Sequence, residues 1–192
     1  MKSFLKNVLI AGTFAGLTAA SASAQMALPH DFSLSKESRL WLDGTSNVKS
    51  FSCSAQKVDA NVVGEANENA NEMVKTASLV VSVASLDCKN GTMNGHMREA
   101  LKAKDNPQIT WKLSSYRIDG TSVVLNGTLN IAGKENPIVL RATGTSENGV
   151  IKLKGSKQFK MTEFGVKPPS LMFGTMKVAD MVTVSFDFVL NQ

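Results

Sequence analysis

VTVSFDFVL, at residues 182–190, is the stretch of sequence that decides the fold of this chain. Large apolar side chains occupy every second position from Val182 to Leu190, and mostly polar residues stand between them. Successive side chains of a β-strand point to opposite faces of a sheet. The alternation therefore predicts a strand with one buried and one exposed face.

The same period of two recurs along most of the chain. It is present around Phe51, Ile109 and Ile138, among other places, and turn-forming Asp-Gly and Asn-Gly pairs at 119–120 and 148–149 separate the segments. Seven or eight strands at this spacing predict an antiparallel β-sandwich or β-barrel. The alternation alone does not choose between the two.

One segment follows a helical period instead. Met93, Met97, Ala100 and Leu101 fall on one face of a helix, and Thr92 precedes them as a candidate N-cap. We predict one short helix between two strands. It either covers an end of the β-structure or forms a lid over an apolar cavity, where flexible methionine side chains adapt to a ligand.

The first 24 residues have the layout of a secretory signal peptide. A basic head precedes a small apolar stretch, and Ala22 and Ala24 stand at the positions that signal peptidase reads. The apolar stretch is shorter than the roughly 20 residues that a membrane-spanning helix needs. We therefore predict that residues 1–24 are removed. Residues 25–192 are then one periplasmic or secreted domain that is not an integral membrane protein.

The chain contains two cysteines, Cys53 and Cys88. An even pair in an oxidising compartment predicts a disulfide. A hairpin across the polar loop near 63–72 would bring the two positions opposite each other. Two free buried thiols are the alternative, and a redox-active pair is not expected because the CxxC spacing is absent.

The residues that usually carry catalysis or hold cofactors are few. His30 and His96 are the two histidines, and no cluster with the spacing of a metal site accompanies them. The chain has no glycine-rich phosphate loop and no GxSxG nucleophile motif. Its formal net charge of +5 comes from scattered lysines rather than a basic patch. We expect no enzyme, no metal, no nucleotide cofactor and no nucleic-acid partner.

Five stretches of the chain follow one another in the order found in a known family. They are DGTSNVKSF at 43–51, VSVASLD at 81–87, NPQITW at 106–111, GTLNIAG at 127–133 and FGVKPP at 164–169. Over nearly the whole mature chain, the sequence resembles the YceI-like family of secreted, lipocalin-like proteins. The resemblance implies an all-β fold, an extended eight-stranded antiparallel barrel with one short helix inserted between strands. It also implies a long hydrophobic channel.

The resemblance further implies a ligand, because family members are associated with binding polyisoprenoid chains such as the tail of a quinone or an isoprenoid lipid. We expect an apolar lipid ligand and no other cofactor, and a homodimer is left open. The candidate ligand-binding residues are those of the channel wall and those near its mouth. Along the wall they are Trp111, Leu113, Leu125, Leu129, Leu140, Val184, Phe186 and Phe188, and near the mouth Met97, Leu101, Phe164, Leu171 and Phe173.

Two other hypotheses belong to different functional classes. In the first, these apolar residues simply fill the barrel, and the protein binds a partner through an exposed apolar loop around residues 171–176. In the second, the barrel carries an active site that uses acid or base groups such as Glu163 or Asp180. The lipid carrier is the preferred hypothesis.

Overall fold

The computed structural model describes residues 29–66, 72–171 and 175–192. The predicted signal peptide at 1–24 and the candidate mouth residue Phe173 lie outside the described residues, as does the side chain of Leu171. In the described part of the chain, no helix has the length and apolar character needed to cross a membrane.

Within the described residues the chain forms twelve strands and one α-helix. In order these are β1 (His30–Leu34), β2 (Arg39–Ser46), β3 (Ser50–Ala55), β4 (Asp59–Ala66), β5 (Glu72–Ser82), β6 (Leu86–Asp87), α1 (Gly91–Ala100), β7 (Gln108–Asp119), β8 (Ser122–Ile131), β9 (Lys134–Glu147), β10 (Val150–Lys160), β11 (Ser170–Leu171) and β12 (Met176–Asn191). Single 3-10 turns at Val83–Ser85 and Met161–Phe164 follow β5 and β10.

These strands close into an eight-stranded antiparallel barrel, as the family resemblance predicted. Three pairs of segments, β1 with β2, β3 with β4 and β5 with β6, each act as one interrupted barrel strand. The long β12 shows why: one of its edges pairs with β2 along most of its length and with β1 at its end, where Leu34 faces Leu190. That last pairing closes the sheet, and β10 covers the other edge of β12.

The two ends of the barrel differ. At the helix end, β6 leaves the sheet after pairing with β3, and α1 is inserted before the chain returns as β7. At the opposite end, which we call the hairpin end, tight turns connect β7 to β8 and β9 to β10. Gly120 and Gly149 lie in these turns with φ of 57° and 75°, which a side chain would disfavour.

The alternation of apolar and polar residues that predicted the strands corresponds to an alternation of buried and exposed side chains in the structure. On β12, Val182, Phe186, Phe188 and Leu190 are buried, whereas Met181 is exposed. The residues of the opening stretch therefore point alternately into the barrel and out of it, as predicted. Their inward side chains form part of the wall that surrounds the barrel interior.

The helix was predicted correctly, but its N-cap was not. Asn90 occupies the cap position, and its side-chain oxygen accepts a hydrogen bond from the backbone N–H of Met93 at 2.9 Å. Thr92 lies inside the helix instead. Asparagine and threonine both cap helices well, so the choice rests on where the turn after β6 ends. The helix ends at Ala100 with Leu101 as its C-cap, and Lys102 then adopts a left-handed φ of 53°.

Cys53 and Cys88 form a disulfide, which confirms the prediction and overturns the alternative of two free thiols. The bridge follows from the register, because β3 and β6 pair Ser54 with Asp87 and the two cysteines are the next residues along. The disulfide therefore fastens β6 to β3 at the place where the sheet opens to admit α1.

Candidate functional site

The barrel encloses a cavity of about 980 Å³. Its lining includes Met93 and His96 of α1 at the helix end, and Thr121 and Glu147 at the hairpin end. The cavity thus extends along the barrel from one end to the other. Its volume lies at the upper end of the range for pockets that hold small molecules, about 300–1,000 Å³.

Most of the lining is apolar because inward positions of the strands carry apolar residues. On β10, for example, Ile151 and Leu153 line the cavity, whereas Lys152 and Lys154 lie on the exposed outer face. The same alternation places Val123, Leu125 and Leu129 of β8 on the inside of the barrel. Burial of apolar surface is therefore the main interaction that this cavity offers to a ligand.

Glycines on the inner face explain why the barrel is not filled by its own aromatic side chains. Gly155 faces Phe186 across the β10–β12 ladder, and a Cβ added at Gly155 would lie 2.7 Å from the Phe186 ring. Gly44 faces Phe51 in the same way across β2 and β3, in even closer contact. Because these rings lie against the wall over a glycine, they leave the centre of the barrel open.

The cavity lining includes most of the candidate residues predicted from the sequence. Eleven of the thirteen line the cavity, namely Trp111, Leu113, Leu125, Leu129, Leu140, Val184, Phe186, Phe188, Met97, Leu101 and Phe164. The side chains of the two others, Leu171 and Phe173, lie outside the described residues. That the eleven contact a ligand stays a prediction.

Trp111 differs from the other candidate residues on the cavity wall because its side chain carries a hydrogen-bond donor. Its side chain lies over Gly127 of β8, where an added Cβ would be 2.6 Å from the indole Nε1. The residue is 8% exposed, and the N–H has no hydrogen-bond partner among the described residues. Buried donors of native proteins are nearly always paired, so this N–H is a donor left over for water or a ligand.

Trp111 and Phe164 also belong to a packed core cluster at the helix end, together with Phe159 and Val182. Phe159 and Phe164 meet edge to face, with ring centroids 5.3 Å apart. Trp111 and Phe164 therefore pack in the core of the barrel and also line the cavity.

Polar contacts fix α1 at the mouth of the helix end. The side chain of Asn94 accepts a hydrogen bond from the backbone N–H of Cys88 at 2.7 Å and donates one to the Asp87 carboxylate at 2.9 Å. Asp87 also accepts the backbone N–H of Lys89. The hydrogen bond from Asn94, followed by those from Lys89, lowers the pKa of Asp87. With α1 held in this way, Met97 contacts Cys88, with 3.9 Å between the two sulfur atoms.

The two carboxylates of the enzyme hypothesis have structural partners. Glu163 accepts the backbone N–H of Lys160 at 3.2 Å. Asp180 accepts the backbone N–H and the hydroxyl of Thr162 at 2.9 and 2.6 Å, and these hydrogen bonds lower the pKa of Asp180. Both carboxylates thus hold the 3-10 turn Met161–Phe164. Within the described ranges, no group of three or more potential ligands is placed to hold a metal ion.

Sequence reasoning missed several lining residues, among them His96, Phe51 and Lys157. Lys157 had a detectable signal, because it shares the parity of Ile151 and Leu153 on β10 and so points inward with them. A period of two that is traced only through apolar residues does not reveal a lysine at an inward position.

Comparisons with solved structures agree with the architecture. The crystal structure of Burkholderia cenocepacia BcnA is 23% identical, with a TM-score of 0.66 over 79% of this chain and 95% of that chain. The Campylobacter jejuni YceI protein is 22% identical, with a TM-score of 0.57 over 71% and 85%. At such identities the likeness shows a shared fold.

A third structure is a polyisoprenoid binding domain from Saccharophagus degradans implicated in plant cell wall breakdown. It is 14% identical, with a TM-score of 0.61 over 87% of this chain and 99% of that domain. Among curated protein sequences, none matches this chain significantly. The sequence profile of the YceI-like domain, however, matches residues 33–190, which is most of the chain. The chain therefore belongs to the YceI-like domain family.

Proposed function

We propose that this protein is a non-enzymatic carrier that binds one long apolar lipid, such as a polyisoprenoid or the tail of a quinone, inside the barrel. The open apolar cavity of about 980 Å³ is the observation that carries the proposal. The similarity to a polyisoprenoid binding domain supports it. The competing hypothesis of a filled barrel with an exposed binding loop required that such a cavity be absent.

The volume sets the size of the ligand. If each heavy atom takes about 30 Å³, the volume that one water occupies in the liquid, the cavity has room for roughly thirty heavy atoms. That is a tail of about six isoprene units, each with five carbons. Burial at about 0.8 kcal/mol per CH₂ supplies the binding free energy. The affinity for a prenyl chain is therefore expected to rise with length until about six units and then level off.

The proposed place of action is the periplasm or the exterior of the cell. The signal-peptide layout of residues 1–24 supports export. The disulfide between Cys53 and Cys88 agrees with it, since such bonds persist in oxidising compartments. An insoluble lipid that must cross an aqueous compartment needs a protein that shields its tail from water, which an enclosed apolar cavity does.

The first experiment is mass spectrometry of organic extracts from the exported protein, purified natively and without detergent. A stoichiometric isoprenoid or quinone is the expected result. The second experiment measures the displacement of a fluorescent lipid probe by prenyl alcohols of increasing length. An empty extract together with no displacement by any chain would contradict a lipid carrier.

A cavity-filling variant links the binding to the barrel interior. Leu125→Trp adds bulk on the inner face of β8. We expect it to weaken the binding of the longest prenyl alcohols most, so that the affinity levels off at a shorter chain length. Val124→Trp, one residue earlier, adds the same ring to the outer face and serves as the matched control. Equal effects of the two variants would place the bound lipid outside the cavity.

A further inference from the structure

A side cleft opens in the barrel wall between β9 and β10. Their ladder runs from Val150 and Glu147 at the hairpin end to Ser156 and Arg141, and it stops there. Beyond this point β10 continues to pair only with β12, and β9 only with β8. The two strands part toward the helix end and leave a cleft of about 520 Å³.

Lys157 is the first residue of β10 beyond the end of that ladder. It falls on the inward parity of the strand, in line with Ile151, Leu153 and Phe159. Its half-buried side chain lines both the central cavity and the side cleft. An ammonium group therefore stands where the apolar interior of the barrel meets the cleft.

This ammonium group is uncompensated. Lys157 makes no ion pair and no side-chain hydrogen bond with any residue that the structure describes. By contrast, Lys154 on the outer face of the same strand reaches Asp187 at 4.0 Å. Glu163 also lines the cleft, but its carboxylate accepts a backbone N–H of Lys160 rather than meeting Lys157.

The charges along the cavity are distributed unevenly. Among the described residues that line it, Lys49, Lys157 and Glu147 are the charged ones. Glu147 lies at the hairpin end, at the far end of the β9–β10 ladder from Lys157, and Lys49 lies in the β2–β3 turn at the helix end. The part of the cavity toward the helix end thus carries positive charge without a negative side chain in the lining.

We propose that the ligand is an acidic lipid, whose carboxylate or phosphate pairs with Lys157 at the side cleft while its tail lies in the cavity. This inference rests on the proposed function as a lipid carrier. A neutral lipid that fills the cavity would remove water from the ammonium group without replacing the lost interactions, which is costly. An anionic head group compensates the charge with a strong charge-assisted hydrogen bond.

The test compares matched acids and alcohols. The dissociation constants of geranylgeranyl phosphate and geranylgeraniol, and of palmitate and hexadecanol, are measured by displacement of a neutral fluorescent lipid probe. The wild type is compared with Lys157→Met, with Lys157→Arg, and with Lys152→Met, which removes an exposed lysine from the outer face of the same strand. Thermal unfolding of each variant checks that the barrel is folded.

In the wild type and in Lys152→Met, we expect at least one acid to bind tenfold or more tightly than its alcohol, as a hydrogen bond to a charged group provides. The ratio should fall to near one in Lys157→Met and recover in Lys157→Arg. A preference seen only with the phosphate pair, or only with palmitate, identifies the head group.

Equal binding of acids and alcohols by the wild type, or a preference that survives in Lys157→Met, would overturn the acidic-lipid proposal and leave the carrier function standing. If neither acids nor alcohols displace the probe, the carrier function fails as well. The two failures are therefore distinguishable.

Discussion

Removal of the disulfide should destabilise the barrel by a predictable amount. Cys53 and Cys88 are 35 residues apart in sequence. A loop of that length corresponds to about 4 kcal/mol of unfolding free energy in the chain-entropy model. For a protein of this size, that loss lowers the melting temperature by roughly 8–16 °C. We expect this shift in the double variant Cys53→Ala/Cys88→Ala.

Urea unfolding measures the effect and tests its cause. The disulfide acts mainly by restricting the unfolded chain, so the variant should expose more surface on unfolding and show a larger m-value than the oxidised protein. Wild-type protein unfolded in the presence of a reductant is the matched control, because it loses the bond but keeps both sulfur atoms. A loss below 1 kcal/mol with an unchanged m-value, in both samples, would refute the reasoning.

Three smaller changes test other parts of the structure. Asp180→Asn should make the unfolding free energy depend less on pH at acid pH. A carboxylate whose pKa is lowered in the folded protein contributes its full stabilisation above its ordinary pKa of 3.8, and that stabilisation is lost as the pH falls through the pKa of the folded state. Urea unfolding at several pH values measures the difference between the variant and the wild type. Lys102→Gly should raise the unfolding free energy by about 0.5–1 kcal/mol, because φ at Lys102 is 53° and glycine adopts it without strain; a thermal melt that shows no increase would contradict this. Gly155→Ala should lower the unfolding free energy by about 1–3 kcal/mol, since the new Cβ would lie 2.7 Å from Phe186 and 2.6 Å from the Arg141 carbonyl oxygen, and denaturant titration measures the loss.

Local sequence patterns were sufficient to predict the strands of the barrel because each strand has one solvent-exposed face. The alternation on β12 and the Asn-Gly turn before β10 are properties of a few consecutive residues, and both were read correctly. The interruptions within three of the barrel strands were not predicted. They depend on which segments share an edge of a neighbouring strand, as β1 and β2 share an edge of β12, and that pairing joins residues as distant as Leu34 and Leu190.

The wall of the candidate site was predictable as a set of inward strand positions, since all eight of the wall candidates line the cavity. Lys157 is not among the candidates because they were selected as apolar residues, although its parity on β10 places it inside the barrel. At this position the charge of the side chain favours an outward direction, whereas the parity of the strand places it inward. Such disagreements are expected where a site has a function that plain packing does not require.

Whether the barrel is hollow depends on a property that single strands do not reveal. The inward apolar residues would serve equally well to fill the interior, and the sequence hypotheses left both outcomes open. The outcome is set by register: Gly44 faces Phe51, and Gly155 faces Phe186. A shift of either ladder by two residues would keep every apolar side chain inside, yet it would move each ring from over a glycine to over a side chain. The ring would then point toward the axis, so the cavity depends on pairings between strands as well as on the apolar composition of each one.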